Sequence, residues 1–185
     1  MSVTVQSRRI VNPVQRDAVT FLETAEESGG RRTLLEVELA PGGGNEPHRH
    51  LTYAERFVCQ EGELTIRAAG LLHVLHPGDE ATAQPRELHS FANETDDTVR
   101  FVVELMPGHR GFEQGLQIAY GLARDGLVND KGIPKRLVDI ALLVDLGESR
   151  LPGVMRLLNG PLRLLAHRAR RRGVEAALVE RYVRY

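Results

Sequence analysis

Cysteine is nearly absent from this chain. The single thiol, Cys59, excludes an intrachain disulfide and a zinc site built from several thiolates of one chain, so any metal ion must be held by histidines and carboxylates. Long apolar runs are also missing. No stretch approaches the roughly 18 to 20 uninterrupted apolar residues of a membrane-spanning helix. The first residues, MSVTVQSRRIVNPVQRD, lack the run of about 7 to 15 apolar residues that a secretory signal needs, and the cytoplasm is the expected location. A net charge of -1 gives no global attraction to nucleic acid. No Gly-x-Ser-x-Gly elbow, nucleophile triad or phosphate loop is present, since Gly42-Gly43-Gly44 does not lead from a strand into a helix.

What remains is an ordinary globular composition. Of 185 residues, 42% are apolar and 26% charged, enough for a full core in one domain, or in one domain with an appendage. Charge is unevenly placed: from Ser149 to Val174 there is no acidic residue, whereas Arg150, Arg156, Arg163, Arg168, Arg170, Arg171 and Arg172 all fall there.

Between about Asp17 and Pro107 the chain reads as short β segments separated by turns. Candidate strands are 18–23, 33–39, 54–60, 63–68, 71–75, 87–91 and 98–105, punctuated by Gly29-Gly30, Pro41-Gly42, Glu61-Gly62, Ala69-Gly70 and Pro77-Gly78. Many short strands at close spacing predict an all-β barrel or sandwich. After Pro107-Gly108 the apolar spacing changes to three and four, predicting helices over 112–123, 134–146 (with Pro134 at its start) and 154–172. The expected division is a β domain over 1–107, including the N-terminal strands, and a helical C-terminal extension over 108–185. The apolar residues of the last helix, Val154, Leu157, Leu158, Leu162, Leu164, Leu165 and Ala169, are suited to packing on the barrel or on a second copy, which is the preferred reading. Contact with an anionic membrane surface is the alternative. Nucleic acid is set aside, because no aromatic stacking platform accompanies the arginines.

His48 and His50 lie two residues apart, so on an extended segment both imidazoles face the same way. Glu55 sits at an odd offset from His50 and needs a turn or bulge within 51–54 to join them; beyond it, Glu55, Phe57 and Cys59 share a face. His89 arrives from a separate strand. Each residue alone admits a bland reading: an isolated His-x-His is usually surface or hydrogen-bonded core, Glu55 a solvated strand residue, His89 a satisfied imidazole.

Taken together, the pattern resembles the cupin superfamily. Its first motif is matched in register by Gly42, five residues, His48-x-His50, four residues, Glu55, six residues and Gly62. The second is supplied by Gly70, Pro77-Gly78, His89 and Asn93, with two departures: His76 stands where the commonest form has proline, and the gap from Gly78 to His89 is longer, with Pro85 four residues before the histidine. The resemblance spans about residues 30–107. It implies a double-stranded β-helix of jelly-roll type with an ion inside, held by His48, His50, Glu55 and His89. Three imidazoles and one carboxylate suit iron, manganese, nickel, cobalt, copper or zinc alike, and two positions of an octahedral ion would stay open for substrate.

Tyr53, Phe57, Cys59 and Phe91 are the expected pocket residues. Tyr53 either overhangs the site or packs at a half-exposed position, and Cys59 reads as an inert inward-facing thiol. His73, His76 and His109 read as surface or turn residues. The resemblance implies a metal-dependent enzyme on a small oxygenated molecule, dioxygenase-like or isomerase-like, with Glu55 a candidate for moving a proton. A non-catalytic small-ligand-binding or sensory module is the alternative, and a partner-binding protein with a vestigial site ranks third. A homodimer is expected in each case.

Overall fold

Alternating burial is the organising feature of residues 8–106. In a computed structural model describing residues 8–150 and 153–184, the segment TLLEVEL forms a strand, β3 (Thr33–Leu39), with Thr33, Leu35, Val37 and Leu39 buried and the residues between them half-buried, as period-two side chains require. It lies beside β2 (Asp17–Glu23), which pairs with β1 (Arg9–Asn12), and on its other side beside β9 (Val99–Met106). β9 in turn pairs with β4 (Ala54–Glu61), and β4 with β7 (Glu80–Ala83). This gives a six-stranded antiparallel sheet in the order β1-β2-β3-β9-β4-β7. Facing it is a three-stranded sheet, β6 (Leu71–Leu75), β5 (Leu64–Ala68) and β8 (His89–Ala92), with β5 central. The core between them takes Phe21, Leu35, Val37, Phe57, Phe101 and Leu105 from one sheet and Leu64, Ile66 and Leu75 from the other.

This is the predicted jelly-roll architecture, with the two sheets apposed but not hydrogen-bonded into a closed barrel. Residues 44–50 run beside β8 through isolated bridges, Gly44 to Ala92 and His48 to His89. Pro47, which has no N–H to give, interrupts any continuous ladder there.

Four helices follow: α1 (Arg110–Arg124), α2 (Leu137–Leu146), α3 (Asn159–Arg171) and α4 (Val174–Tyr182). α1 has two apolar faces. Phe112, Leu116, Ala119 and Tyr120 pack on the barrel core, while Ile118, Leu122 and Ala123 join a second core with Ala141, Leu142 and Leu146 of α2, Leu162, Ala166 and Ala169 of α3, and Leu178 and Tyr182 of α4. His109 caps α1, its Nδ1 accepting from Phe112 N at 2.9 Å. None of the helices among the described residues is long and apolar enough to cross a membrane.

Several sequence expectations change. The short strands β1 and β7 are additions, too brief to show a period. Pro134 bridges to Val128 instead of opening a helix, and α2 starts at Leu137. The expected helix 154–172 is a 3-10 turn at Gly153–Leu158 followed by α3, and α4 continues beyond the left-handed Gly173. That change of helical period takes Leu157 and Leu158 out of the buried stripe. In α3 the spacing selects Leu162, Ala166 and Ala169, leaving Leu164 on the opposite, exposed face. Expectations touching residues 1–7, 151–152 and 185, and the Val154 side chain, lie outside the described residues.

The α1–α4 contact generates a direct test. A Cβ built at Gly121 would meet the Tyr182 ring at 2.2 Å, so Gly121→Ala should destabilise the protein by about 1 to 3 kcal/mol through overpacking. Denaturant unfolding checks this; a variant as stable as wild type would mean that α4 is not seated on α1.

Candidate metal centre

His48 and His89 face each other across a bridge in which each backbone N–H donates to the other's carbonyl, at 3.0 and 2.9 Å. That exchange brings their rings to 4.4 Å between centroids. His50, two residues on, presents its ring at 4.7 Å from His48. The chain then bends through Leu51 and Thr52 and enters β4 at Ala54, which supplies the turn that Glu55 needed to face inward beside Phe57. Donor atoms of His48, His50, Glu55 and His89 all lie within 4.8 Å of one another.

Each imidazole is oriented through its other nitrogen. Nδ1 of His48 lies 2.9 Å from Glu46 O, and Nδ1 of His89 lies 3.0 Å from Glu87 O. Nδ1 of His50 lies 3.0 Å from Gly147 O and 2.6 Å from the Tyr53 hydroxyl, which itself donates to Gly147 O at 2.9 Å. These carbonyls place the proton on Nδ1 and leave Nε2 of each ring as the free lone pair. Nε2 of His50 and His89 come within 3.0 and 3.3 Å of the two Glu55 oxygens, yet both are buried without an aligned hydrogen bond. Two buried imidazole nitrogens, close to a carboxylate but not aimed at it, fit a shared cation.

The electrostatics agree. Burial alone would raise the Glu55 carboxyl, but His50 and His89 outweigh it and hold it well below the ordinary carboxylate range. Burial pushes His48 down to about 4, with Glu55 opposing and the other two imidazoles reinforcing, so this ring is neutral near pH 7 and able to ligate. His89 is opposed by burial yet raised overall, because Glu55 stabilises its charged form.

The cluster opens on a cavity of about 380 Å³ between the barrel and the helices. Its walls are largely apolar: Val19, Leu35, Val37, Phe57, Phe91 and Val103 from the barrel, Phe112, Leu116 and Ala119 from α1, and Leu143 from α2. The pair Asp17–Tyr120 also lines it. Tyr120 donates to Asp17 Oδ2 at 2.6 Å, while Oδ1 is buried without a partner. Burial raises Asp17 to about 6, against the lowering effect of the Tyr120 hydrogen bond.

Of the four expected pocket residues, Phe57 and Phe91 line this cavity and the other two do not. Tyr53 is fully buried, stacked on His50 at 4.4 Å, and acts from behind the ligand. Cys59 faces inward as alternation demands, but four residues along β4 carry it about 13 Å from Glu55, where its thiol lies against Glu61 O and Gly62 O and burial raises its pKa. His109, expected at the surface, packs on Tyr53 at 4.8 Å between centroids, because capping α1 holds it there. Asp17, Tyr120, Phe112, Leu116 and Gly147 were not found from sequence. The period of α1 shows that the helix has a buried face, but nothing in the sequence says that this face covers a cavity.

A jelly-roll barrel with three inward imidazoles and one carboxylate defines the class. The cupin-domain family matches residues 35–105, which assigns that stretch of the chain to a cupin domain. Solved structures agree in fold. KdgF from Halomonas sp. shares 13% identity at a TM-score of 0.51, covering 60% of this chain and 96% of that one. A predicted oxalate decarboxylase from Thermotoga maritima shares 18% at 0.52, covering 58% and 99%. An RmlC-like cupin from Shewanella frigidimarina shares 15% at 0.51, covering 60% and 93%. No curated protein matches the chain in sequence.

Asp17 yields a pH prediction. A carboxyl whose folded pKa is raised from 3.8 to about 6 favours folding while protonated, and that contribution is lost as pH rises from about 4 to 6. Asp17→Asn should therefore gain roughly 3 kcal/mol relative to wild type between pH 4 and pH 7. Urea unfolding across that range measures it; a difference that stays flat with pH would show that Asp17 is not desolvated.

Proposed function

We propose that the protein is a metal-dependent enzyme acting on a small, largely apolar, oxygenated molecule, with His48, His50, Glu55 and His89 as ligands of one divalent transition-metal ion. The observation that carries this reading is the position of the cavity: an apolar chamber ends on His48, His50 and Glu55, three of the four convergent donors. When bound there, such an ion supplies a Lewis acid with open positions for oxygen donors of the substrate.

The chain's own residues supply the rest. Phe57, Phe91, Phe112 and Leu116 exclude water and hold the apolar body of the substrate, which strengthens every polar contact at the ligand end. Tyr53 and Gly147 O fix the His50 ring from behind. Glu55, the only carboxylate among the four donors, is the group we assign to proton transfer. This fits a dioxygenase-like or isomerase-like reaction, both of which begin with a chelated oxygenated substrate. We place the protein in the cytoplasm.

Metal content tests the centre. Wild type purified without chelators should carry about one ion per chain, His50→Ala should lose it, and Tyr53→Phe should retain the site with affinity reduced by about tenfold or more. Mass spectrometry of the bound metal reads all three. Protein that stays metal-free after reconstitution with iron, manganese, nickel and zinc would defeat the proposal, and metal retained together with a bound compound that never turns over would replace the enzyme with a binding module.

We also propose that the chain forms a homodimer. Supporting this, β6 is an edge strand whose Leu71, Leu72 and Val74 are 63%, 57% and 42% exposed, and such an edge invites pairing with a second copy. Leu72→Lys should shift sedimentation from dimer to monomer; a wild type that sediments as a monomer at high concentration would end this reading.

A further inference from the structure

The cleft behind the metal strand is lined by Arg49, Arg86, Arg150 and Arg156, and contains no acidic side chain. We propose that it binds the phosphate group of a phosphorylated ligand, at a site separate from the barrel cavity.

The four arginines arrive from three places along the chain. Arg49 lies between His48 and His50 but lines the opposite side of the segment, since adjacent side chains alternate. Arg86 comes from the turn before β8, where its backbone N–H donates to His50 O at 2.6 Å. Arg150 follows the bridge between Ser149 and His50, and its N–H donates to Arg49 O at 3.1 Å. Arg156 comes from the 3-10 turn at Gly153–Leu158. Three of the four are thus tied by backbone hydrogen bonds to one short segment, which gives the cleft a fixed frame of about 570 Å³.

The charge in this cleft is unbalanced. Arg32, Arg56 and Arg170 each reach two carboxylates, whereas none of the four cleft arginines pairs with an acid among the described residues, and Arg49 Nε is buried without a hydrogen-bond partner. Arg150 donates from its guanidinium to Ser149 O at 2.7 Å, and four arginines lining one cleft without a counter-charge match a multivalent tetrahedral oxyanion, whose oxygens accept paired N–H donors. A single carboxylate would engage only one or two of them. Leu51 and Leu157 form the apolar part of the wall, and Leu157 is 77% exposed, so the group carrying the phosphate can extend over apolar surface.

Inorganic phosphate is the probe. Titrated into the metal-loaded protein at constant ionic strength, it should raise the melting temperature in a saturable way that chloride does not reproduce. In the double variant Arg86→Gln/Arg156→Gln, both positions being exposed in the folded chain, apparent phosphate affinity should fall by about tenfold or more, with metal content and the melting temperature in chloride unchanged. Arg150→Gln provides an independent variant from another wall of the cleft. Vesicles distinguish the source of the phosphate: sedimentation with phosphatidylglycerol vesicles but not with pure phosphatidylcholine, reversed by inorganic phosphate, identifies a lipid headgroup. A retained phosphate response without sedimentation identifies a soluble phosphate ester. Equal stabilisation by chloride, or an undiminished phosphate response in both variants, overturns the site.

Discussion

Glu55 is the constraint around which this protein is arranged. Only 5% exposed, its carboxylate has lost its water and would cost several kcal/mol if left alone in an apolar chamber. Two imidazole nitrogens lie 3.0 and 3.3 Å from it without an aligned hydrogen bond, and their rings are themselves held. Hence the reciprocal backbone exchange between His48 and His89, the Glu46 and Glu87 carbonyls behind their Nδ1 atoms, and the Tyr53–Gly147 pair behind His50. Three imidazoles so close cannot all be charged. Burial, with a smaller contribution from the two neighbouring rings, pushes the pKa of His48 down to about 4, which leaves that ring a neutral donor. Such a set has the donor chemistry to hold a shared divalent cation.

The helices complete the site as well as extending the chain. The four candidate donors fall within residues 35–105, the stretch matched to the cupin domain. The cavity wall extends beyond it on both sides: Asp17 and Val19 precede that stretch, while Phe112, Leu116, Ala119, Tyr120 and Leu143 follow it. Even the orientation of His50 depends on the carbonyl of Gly147 at the end of α2. The four candidate donors therefore come from the barrel alone, and the chamber wall is shared between the barrel and the segments that flank it.

The same helices sort the basic charge of the tail. Arg170 is committed to structure, bridging Asp145 and Glu175 between helices. Arg150 and Arg156 instead join Arg49 and Arg86 in a cleft without acids. An acid-free run in the sequence thus divides into a structural part and an unbalanced part, according to which arginines find carboxylates from distant segments.

By itself the sequence determined the β-rich first part, the helical remainder and the four side chains that cluster, because these depend on local relations: period-two burial in TLLEVEL, turn glycines, and the spacing of His48, His50 and Glu55. Phe57 and Phe91 line the chamber because both share strand faces with candidate donors, Glu55 and His89. Everything decided by long-range packing was illegible. Cys59 obeyed the alternation and still lay too far along β4; Tyr53 faced the back of a ligand instead of its front; the tail helix broke at Leu158 and turned again at Gly173. Asp17 and Tyr120, 103 residues apart, meet only when α1 closes over the barrel. Periodicity fixes which face of an element is buried, but the partner of that face is chosen by the packing of the whole chain, and it was this packing that set the walls of the chamber.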